Sequence, residues 1–363
     1  MISRPRAETL IRHPEVRAKR ASKGDGPGRA SFEALAALGH LRMTGLVLML
    51  VATALSTSPA MAQTYPSRPI KIIVSTSAGG ITDILARFLG AHITARTGQP
   101  HVIDNRAGGS GNIAMAEVAR AAPDGYTLGF ANTGNITINP YLFSKLSYDP
   151  LNDLIPIGPV GTVPLFLVVN AAGVPAKNVA EFIAYAKANP DKVSYAGAGA
   201  GTTPDLAHSE FARRSGLKLV VVPHRGTGPA TTAVIGGSVQ ATFVSMGPHI
   251  EMVRKGTLRV LGAATPKRMP YVPDVPTFAE QGFPGFEAST WFALFAPRGT
   301  PKPILDQLNS YTRSLHEDAE LKRRLESSFV DPLILTQPEF AAVVRADAVK
   351  WERIVRESGA KLD

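Results

Sequence analysis

The chain has 363 residues, 44% of them hydrophobic and 7% aromatic, with no cysteine and a formal charge of +10. Such a composition can bury a sizeable core in one or two domains, and the missing cysteines exclude disulfides and thiolate chemistry. Residues 1–62 carry 9 Lys+Arg and 4 Asp+Glu, so the excess divides evenly, +5 on either side of that point. The remainder has no long basic block, and "LKRRL" at 321–325 reads as a solvated helix face, so nucleic-acid binding does not fit.

In chain order, the first feature is "TGLVLMLVATALSTSPAMAQ", Thr44 to Gln63. Its apolar run, Leu46 to Leu55, is shorter than the roughly 20 residues of a membrane span. Ala60-Met61-Ala62 matches a small-residue cleavage site, and Arg42 sits just upstream, the pattern of a secretory signal. A membrane anchor is the alternative that the short run disfavours. The stretch 1–41 is polar, basic and longer than a signal's leading region, with no Arg-Arg pair; it is expected to be disordered or absent in the working protein.

From Tyr65 onward, strand and helix patterns alternate. "PIKIIVS", "HVIDN", "YTLGFAN", "FLVVN", "VSYAGAG", "KLVVVPH", "QATFVSM" and "LRVLGAAT" read as strands. "ITDILARFLGAHITART", "GGSGNIAMAEVARAA", "KNVAEFIAYAKANP", "TTPDLAHSEFARRSG", "GPATTAVIGG" and "HIEMVRKG" read as helices between them. Proline and glycine punctuate the joins, as at "DPLNDLIPIGPVGTVP". Two long helical patterns close the chain, 301–329 and 337–359. The alternation predicts an α/β fold with mostly parallel sheets. The final helices have no strands of their own, so they are expected to pack back on the first of two lobes. The expected division is 63–162 plus 289–363 for one lobe and 163–288 for the other, with a ligand cleft between them.

Four strand-to-helix turns share one design: "STSAGGITD", "NRAGGSGNIA", "YAGAGAGTTPD" and "PHRGTGPATT". Each offers unpaired backbone N–H groups and the positive end of a helix dipole, which suits an anion. In the third, Thr203 reads as the N-cap, with Pro204 and Asp205 in the first turn. Helix capping alone explains any single turn; four together point to a site lined by N–H groups and hydroxyls. None matches a phosphate-binding P-loop. "GSGNIA" at 109–114 fits a dinucleotide pattern but lies in the second strand–helix unit. "FVSMG" at 243–247 has Phe where a nucleophile elbow needs Gly. His92, His101, His208, His224, His249 and His316 have no metal-binding spacing and read as surface or capping residues. No cofactor, metal or catalytic residue is expected.

"GGITDILARFL", "GQPHVIDNRAGGSGNIA", "APDGYTLGFANTGNITINPYLF", "YDPLNDLIPIG", "GAGTTPDLAHSEF", "VPHRGTGPATTAVIGG", "VPDVPTFAEQGFPGFE" and "WFALFAPRGTPKPI" follow one another in this order. Together they resemble the Bug-type extracytoplasmic solute receptors of the tripartite tricarboxylate transporter system, over essentially the whole chain from Tyr65. The resemblance implies a two-lobed type II periplasmic binding protein fold. It implies a small organic carboxylate as ligand, held largely by backbone amides and ordered waters. It also implies membrane transporter components as partners, a periplasmic location and a monomeric state.

Carried over by position, the first-lobe contacts are Ser75, Thr76, Ser77, Ala78, Gly79 and Gly80, with Asp83 shaping the loop, and Thr133, Gly134 and Asn135. The second-lobe contacts are Gly199, Ala200, Gly201, Thr202 and Thr203, then Gly226, Thr227 and Ser245. The sequence departs from the resembled pattern at three places. Ser75-Thr76-Ser77-Ala78 replaces a proline-aromatic-x-proline, Asp205 a histidine and Gln240 an aspartate. A roomier, more polar pocket is the expected consequence. An exported enzyme acting on a small anion, and a sensory receptor serving a signalling partner, are the rival functions.

Overall fold

A computed structural model describes residues 65–190 and 192–362. The expected signal segment and the stretch before it lie outside the described residues. The elements run β1 (Ile70–Val74), α1 (Ile81–Thr97), β2 (His101–Asn105), α2 (Asn112–Ala119), β3 (Thr127–Asn132), α3 (Asn139–Leu142) and β4 (Leu154–Pro164). A second group follows: β5 (Phe166–Asn170), α4 (Val179–Ala188), β6 (Ser194–Gly197), α5 (Thr203–Ser215), β7 (Val220–Pro223), α6 (Thr227–Ile235), β8 (Ala241–Val244), α7 (Ile250–Arg254) and β9 (Leu258–Ala263). β10 (Ser289–Pro297), α8 (Lys302–Ser314), α9 (Ala319–Ser327) and α10 (Gln337–Ser358) complete the chain.

Two five-stranded sheets result, ordered β2-β1-β3-β10-β4 and β7-β6-β8-β5-β9. In the first, β1 pairs in parallel with β2 and β3, and β10 runs antiparallel between β3 and β4. In the second, β6 is parallel to β7 and β8, and β5 is antiparallel to β8 and β9. The chain changes sheet at Leu165, between β4 and β5, and has returned by Ser289, where β10 pairs with Pro164. Expectation set the first crossing at 162/163; β4 runs two residues further.

Both faces of the first sheet are covered, which explains why β1 is apolar at every position but Lys71. Ile72 and Val74 pack with Leu85 and Leu89 of α1 and Leu305 and Leu308 of α8, while Ile73 joins Met115, Trp291, Phe295 and Phe340 on the other face. An aromatic core of Phe182, Phe211, Phe243, Phe278 and Phe286 fills one side of the second sheet.

Two strands fall outside those read from sequence. β4 occupies the Pro- and Gly-rich stretch read as a join. It is an edge strand, where proline's missing donor costs little, and its ladder with β10 shifts register twice, accommodating Pro156 and Pro159. β10, the aromatic "STWFALFAP", is buried in the middle of its sheet. The long helix expected over 301–329 divides in two. Asp318 leaves helical geometry (ψ 114°), and its carboxylate accepts the Glu320 N–H at 2.9 Å, starting a new helix.

Candidate functional site

The loops that follow β1, β2, β3 and β6 converge at the carboxyl ends of their strands, where open α/β sheets bind ligands. They enclose a cavity of about 500 Å³, within the ~300–1,000 Å³ typical of small-molecule sites. The first lobe contributes Ser75, Thr76 and Ser77, then Ala107, Gly108, Ser110 and Gly111, then Asn132, Gly134, Asn135, Asn139 and Leu142. The second contributes Ala200, Gly201, Thr202, Thr203 and Pro204, while Thr290 of β10 and Leu362 complete the wall. Among the described residues none of the lining is titratable or aromatic.

A network of short polar side chains fixes the first-lobe loops. Ser75 Oγ donates to Asn135 Oδ1 at 2.7 Å, and Asn135 Nδ2 donates to the Ser110 carbonyl at 2.7 Å. Asn139 Nδ2 reaches the same carbonyl at 3.0 Å and Asn112 Oδ1 at 2.7 Å. Asn132 Oδ1 accepts the Gly134 N–H at 2.9 Å, closing a local turn. Gly111, at φ +85°, lets the backbone pass tightly against the Asn135 carboxamide and Ser75. The β1 loop is held by Asp83, whose carboxylate accepts the Gly79 N–H at 2.9 Å, Asn105 Nδ2 at 3.0 Å and Arg87 Nε at 3.0 Å. Burial pushes the Asp83 carboxyl up, but the bonds from Arg87, Gly79 and Asn105 outweigh it and hold it below the usual carboxylate range. The Thr76 hydroxyl is buried and finds no hydrogen-bond partner among the described residues.

The β6 loop repeats this design with one difference. Asp205, like Asp83 the third residue of its helix, folds back to accept the Ala198 and Gly199 N–H groups at 2.6 and 3.2 Å. It has no cationic partner among the described residues. Burial raises its carboxyl above the ordinary range, and the two N–H bonds offset this only in part. The N-cap of α5 is Thr202, one residue earlier than the sequence suggested, and its hydroxyl donates to the Gly199 carbonyl at 2.8 Å. The N–H groups of Ser77, Ala200 and Gly201 donate to no acceptor among the described residues.

Of the expected site residues, Ser75, Thr76, Ser77, Gly134, Asn135, Ala200, Gly201, Thr202 and Thr203 meet around the cavity. The others stand outside its lining. Ala78, Gly79 and Gly80 lie on the exposed side of the β1 loop, and Asp83 beneath it. Thr133 is fully buried, its Oγ1 accepting the Trp291 N–H at 2.9 Å. The Gly199 N–H is taken by Asp205. Gly226 donates its N–H to the Ala198 carbonyl at 3.1 Å and props the β6 loop, and the Thr227 carbonyl accepts from Thr231. The Ser245 carbonyl is engaged by His249 Nδ1 at 2.7 Å. The Gly108–Gly111 stretch belongs to the second of the four turns, and that shared design was the available signal; Asn132, Asn139, Thr290 and Leu362 carried none. Two histidines differ from expectation: His92 and His208 are buried, and His208 stacks on Tyr195 at 3.8 Å, where burial lowers its pKa to about 4, whereas His249 stands at the N-cap of α7.

Contacts between the lobes border the cavity. Leu206 of α5 packs with Leu142, Trp351, Ile354 and Val355 of the first lobe, and Gly201 abuts Leu142. Beside them Glu210, only 5% exposed, receives Arg353 at 3.0 Å, Arg214 at 2.7 Å and Arg213 at 3.0 Å.

Two α/β lobes joined by crossing strands, with a polar cavity between loops from both, make this a solute-binding receptor of the two-lobed periplasmic-binding-protein class. Residues 85–360 match the model of the tripartite tricarboxylate transporter family receptor. BugT of Bordetella pertussis is 35% identical over 322 residues, 88% of this chain and 98% of BugT. R. palustris Rpa4515 with adipate superposes with a TM-score of 0.70 at 32% identity, covering 82% of this chain and all of that one. MatC of Rhodopseudomonas palustris with bound malate gives 0.67 at 32% identity, covering 80% of this chain and 100% of MatC. The chain belongs to the tripartite tricarboxylate transporter receptor family.

Proposed function

We propose that this protein is a periplasmic receptor that captures a small organic carboxylate between its lobes and delivers it to the membrane components of a tripartite tricarboxylate-type transporter. The observation that carries this is the cavity. It presents uncommitted N–H groups from the β1 and β6 loops, at the N-termini of α1 and α5, amid hydroxyls and carboxamides. A carboxylate held there needs no cationic side chain. The relatives bound to adipate and malate support the same ligand class. Among the described residues the lining holds no titratable side chain, whereas acid–base catalysis requires one within hydrogen-bond reach, which supports binding without reaction. Export follows cleavage after Ala62, and the receptor acts as a monomer. Mass spectrometry of the exported protein is expected to begin at Gln63; an N-terminus upstream of residue 43 contradicts export by this signal.

A thermal-shift screen over mono-, di- and tricarboxylates tests the binding reading. A ligand at a hundred times its Kd stabilises the folded state by about 2.7 kcal/mol, which raises the melting temperature measurably. A flat response to every carboxylate, with turnover of an ester or phosphate, would establish an enzyme instead.

A further inference from the structure

We infer that the ligand is a singly charged, hydroxyl-rich acid of the sugar-acid type, and that Asp205 turns away a second carboxylate. This rests on the receptor reading above. The two ends of the cavity are built alike but charged differently. At the first-lobe end, the Asp83 carboxylate that braces the β1 loop is paired with Arg87 at 3.0 Å, and the Ser77 N–H stays uncommitted. That end is electrically balanced, and its helix N-terminus favours an anion.

At the second-lobe end, Asp205 takes the Ala198 and Gly199 N–H groups. It consumes two donors that a ligand carboxylate would otherwise use. Its own charge has no cationic partner among the described residues, and it is bonded one residue from Ala200 in the cavity wall. A second carboxylate at this end would still meet the Ala200 and Gly201 N–H groups, but it would also face a like charge that no cation offsets among the described residues. A hydroxyl meets no such repulsion, and it can donate as well as accept.

The walls match such a ligand. Thr76, Ser77, Ser110, Asn132, Thr202 and Thr290 line the space, the Thr202 and Thr290 hydroxyls already donating to Gly199 and Thr203 and so left as acceptors, and none of the described lining residues is aromatic. The buried Thr76 hydroxyl, without a partner among the described residues, is suited to a ligand hydroxyl.

The test is calorimetric titration at about pH 8 with gluconate and glucarate, which differ only in the second carboxylate, and with adipate. Wild type is expected to bind gluconate at least tenfold more tightly than either diacid. Asp205→Asn keeps an acceptor for the Ala198 N–H and removes the charge, and it should narrow that gap at least threefold by improving the diacids. Diacid binding as tight as gluconate in wild type would overturn the inference while leaving the receptor reading intact. Unchanged selectivity in a folded Asp205→Asn would remove Asp205 from the explanation. Should that variant not fold, the wild-type ratio decides alone. Failure of every carboxylate to bind would overturn both.

Discussion

Replacing Glu210 by Gln should loosen the contact between α5 of the second lobe and α10 of the first. Glu210 is 5% exposed and is met by three guanidinium groups, Arg353 coming from the other lobe. Burial alone would push its carboxyl up, but the bonds from Arg213, Arg353 and Arg214 bring it down from 4.5 to about 2. At about 1.4 kcal/mol per tenfold change in acidity, that fall corresponds to about 3 kcal/mol at most. The arginines are 25% to 48% exposed, so water screens part of it, and a loss of about 1.5–3 kcal/mol is expected. Because the folded-state value is depressed, the contribution is complete above about pH 4.5 and fades as pH falls toward 2. Urea unfolding of wild type and Glu210→Gln at pH 7 and pH 3 measures both features. Equal stability at pH 7, or a difference that does not shrink at pH 3, would refute the reasoning.

Thr76→Phe should fill part of the cavity and weaken carboxylate binding at least severalfold with the melting temperature preserved; wild-type affinity in calorimetry would take this residue out of the site. Gly111→Ala should cost about 1–3 kcal/mol, because its added carbon would strike the Asn135 carboxamide at a backbone φ of +85°, and binding should weaken with it; an unchanged unfolding midpoint would count against the loop network. Burial holds the Asp331 carboxyl at about 6, with only partial relief from the Tyr271 hydroxyl. A raised folded-state value favours folding below pH 4 and is lost as pH rises through 6. Asp331→Asn should therefore be more stable than wild type at pH 7.5, by about 1 kcal/mol after allowing for its partial exposure, and the gap should close by pH 4; equal unfolding curves at pH 7.5 would contradict it.

Local chemistry made part of the site legible. The β1 turn is announced by a β-branched run, two glycines and a helical repeat, and the Asp83 brace spans only four residues, from Gly79 to Asp83. The β6 turn is announced in the same way by Thr202, Thr203 and Pro204, although the cap falls one residue earlier than the spacing suggests. Gly226 and Thr227 look identical by sequence to the lining turns, but their loop supports the β6 loop from outside the cavity. Whether a glycine turn faces the ligand depends on which strand it follows and where that strand lies in its sheet.

The sequence by itself determined the α/β class, most strands and helices, and the presence of N–H-rich turns, because each depends on contacts within a few residues. Tertiary structure alone decided the rest. β4 became a strand because it lies at a sheet edge, where its prolines are tolerated. β10 was placed between β3 and β4 by pairings more than a hundred residues apart in sequence. Thr290 reached the cavity through those pairings, Leu362 through its N–H bond to the Leu142 carbonyl, and Asn139 through its bonds to Ser110 and Asn112. The charge contrast between Asp83 and Asp205 depends on whether an arginine lies within reach. For Asp83 it is the next turn of its own helix, while around Asp205 the packing of the second lobe brings none among the described residues.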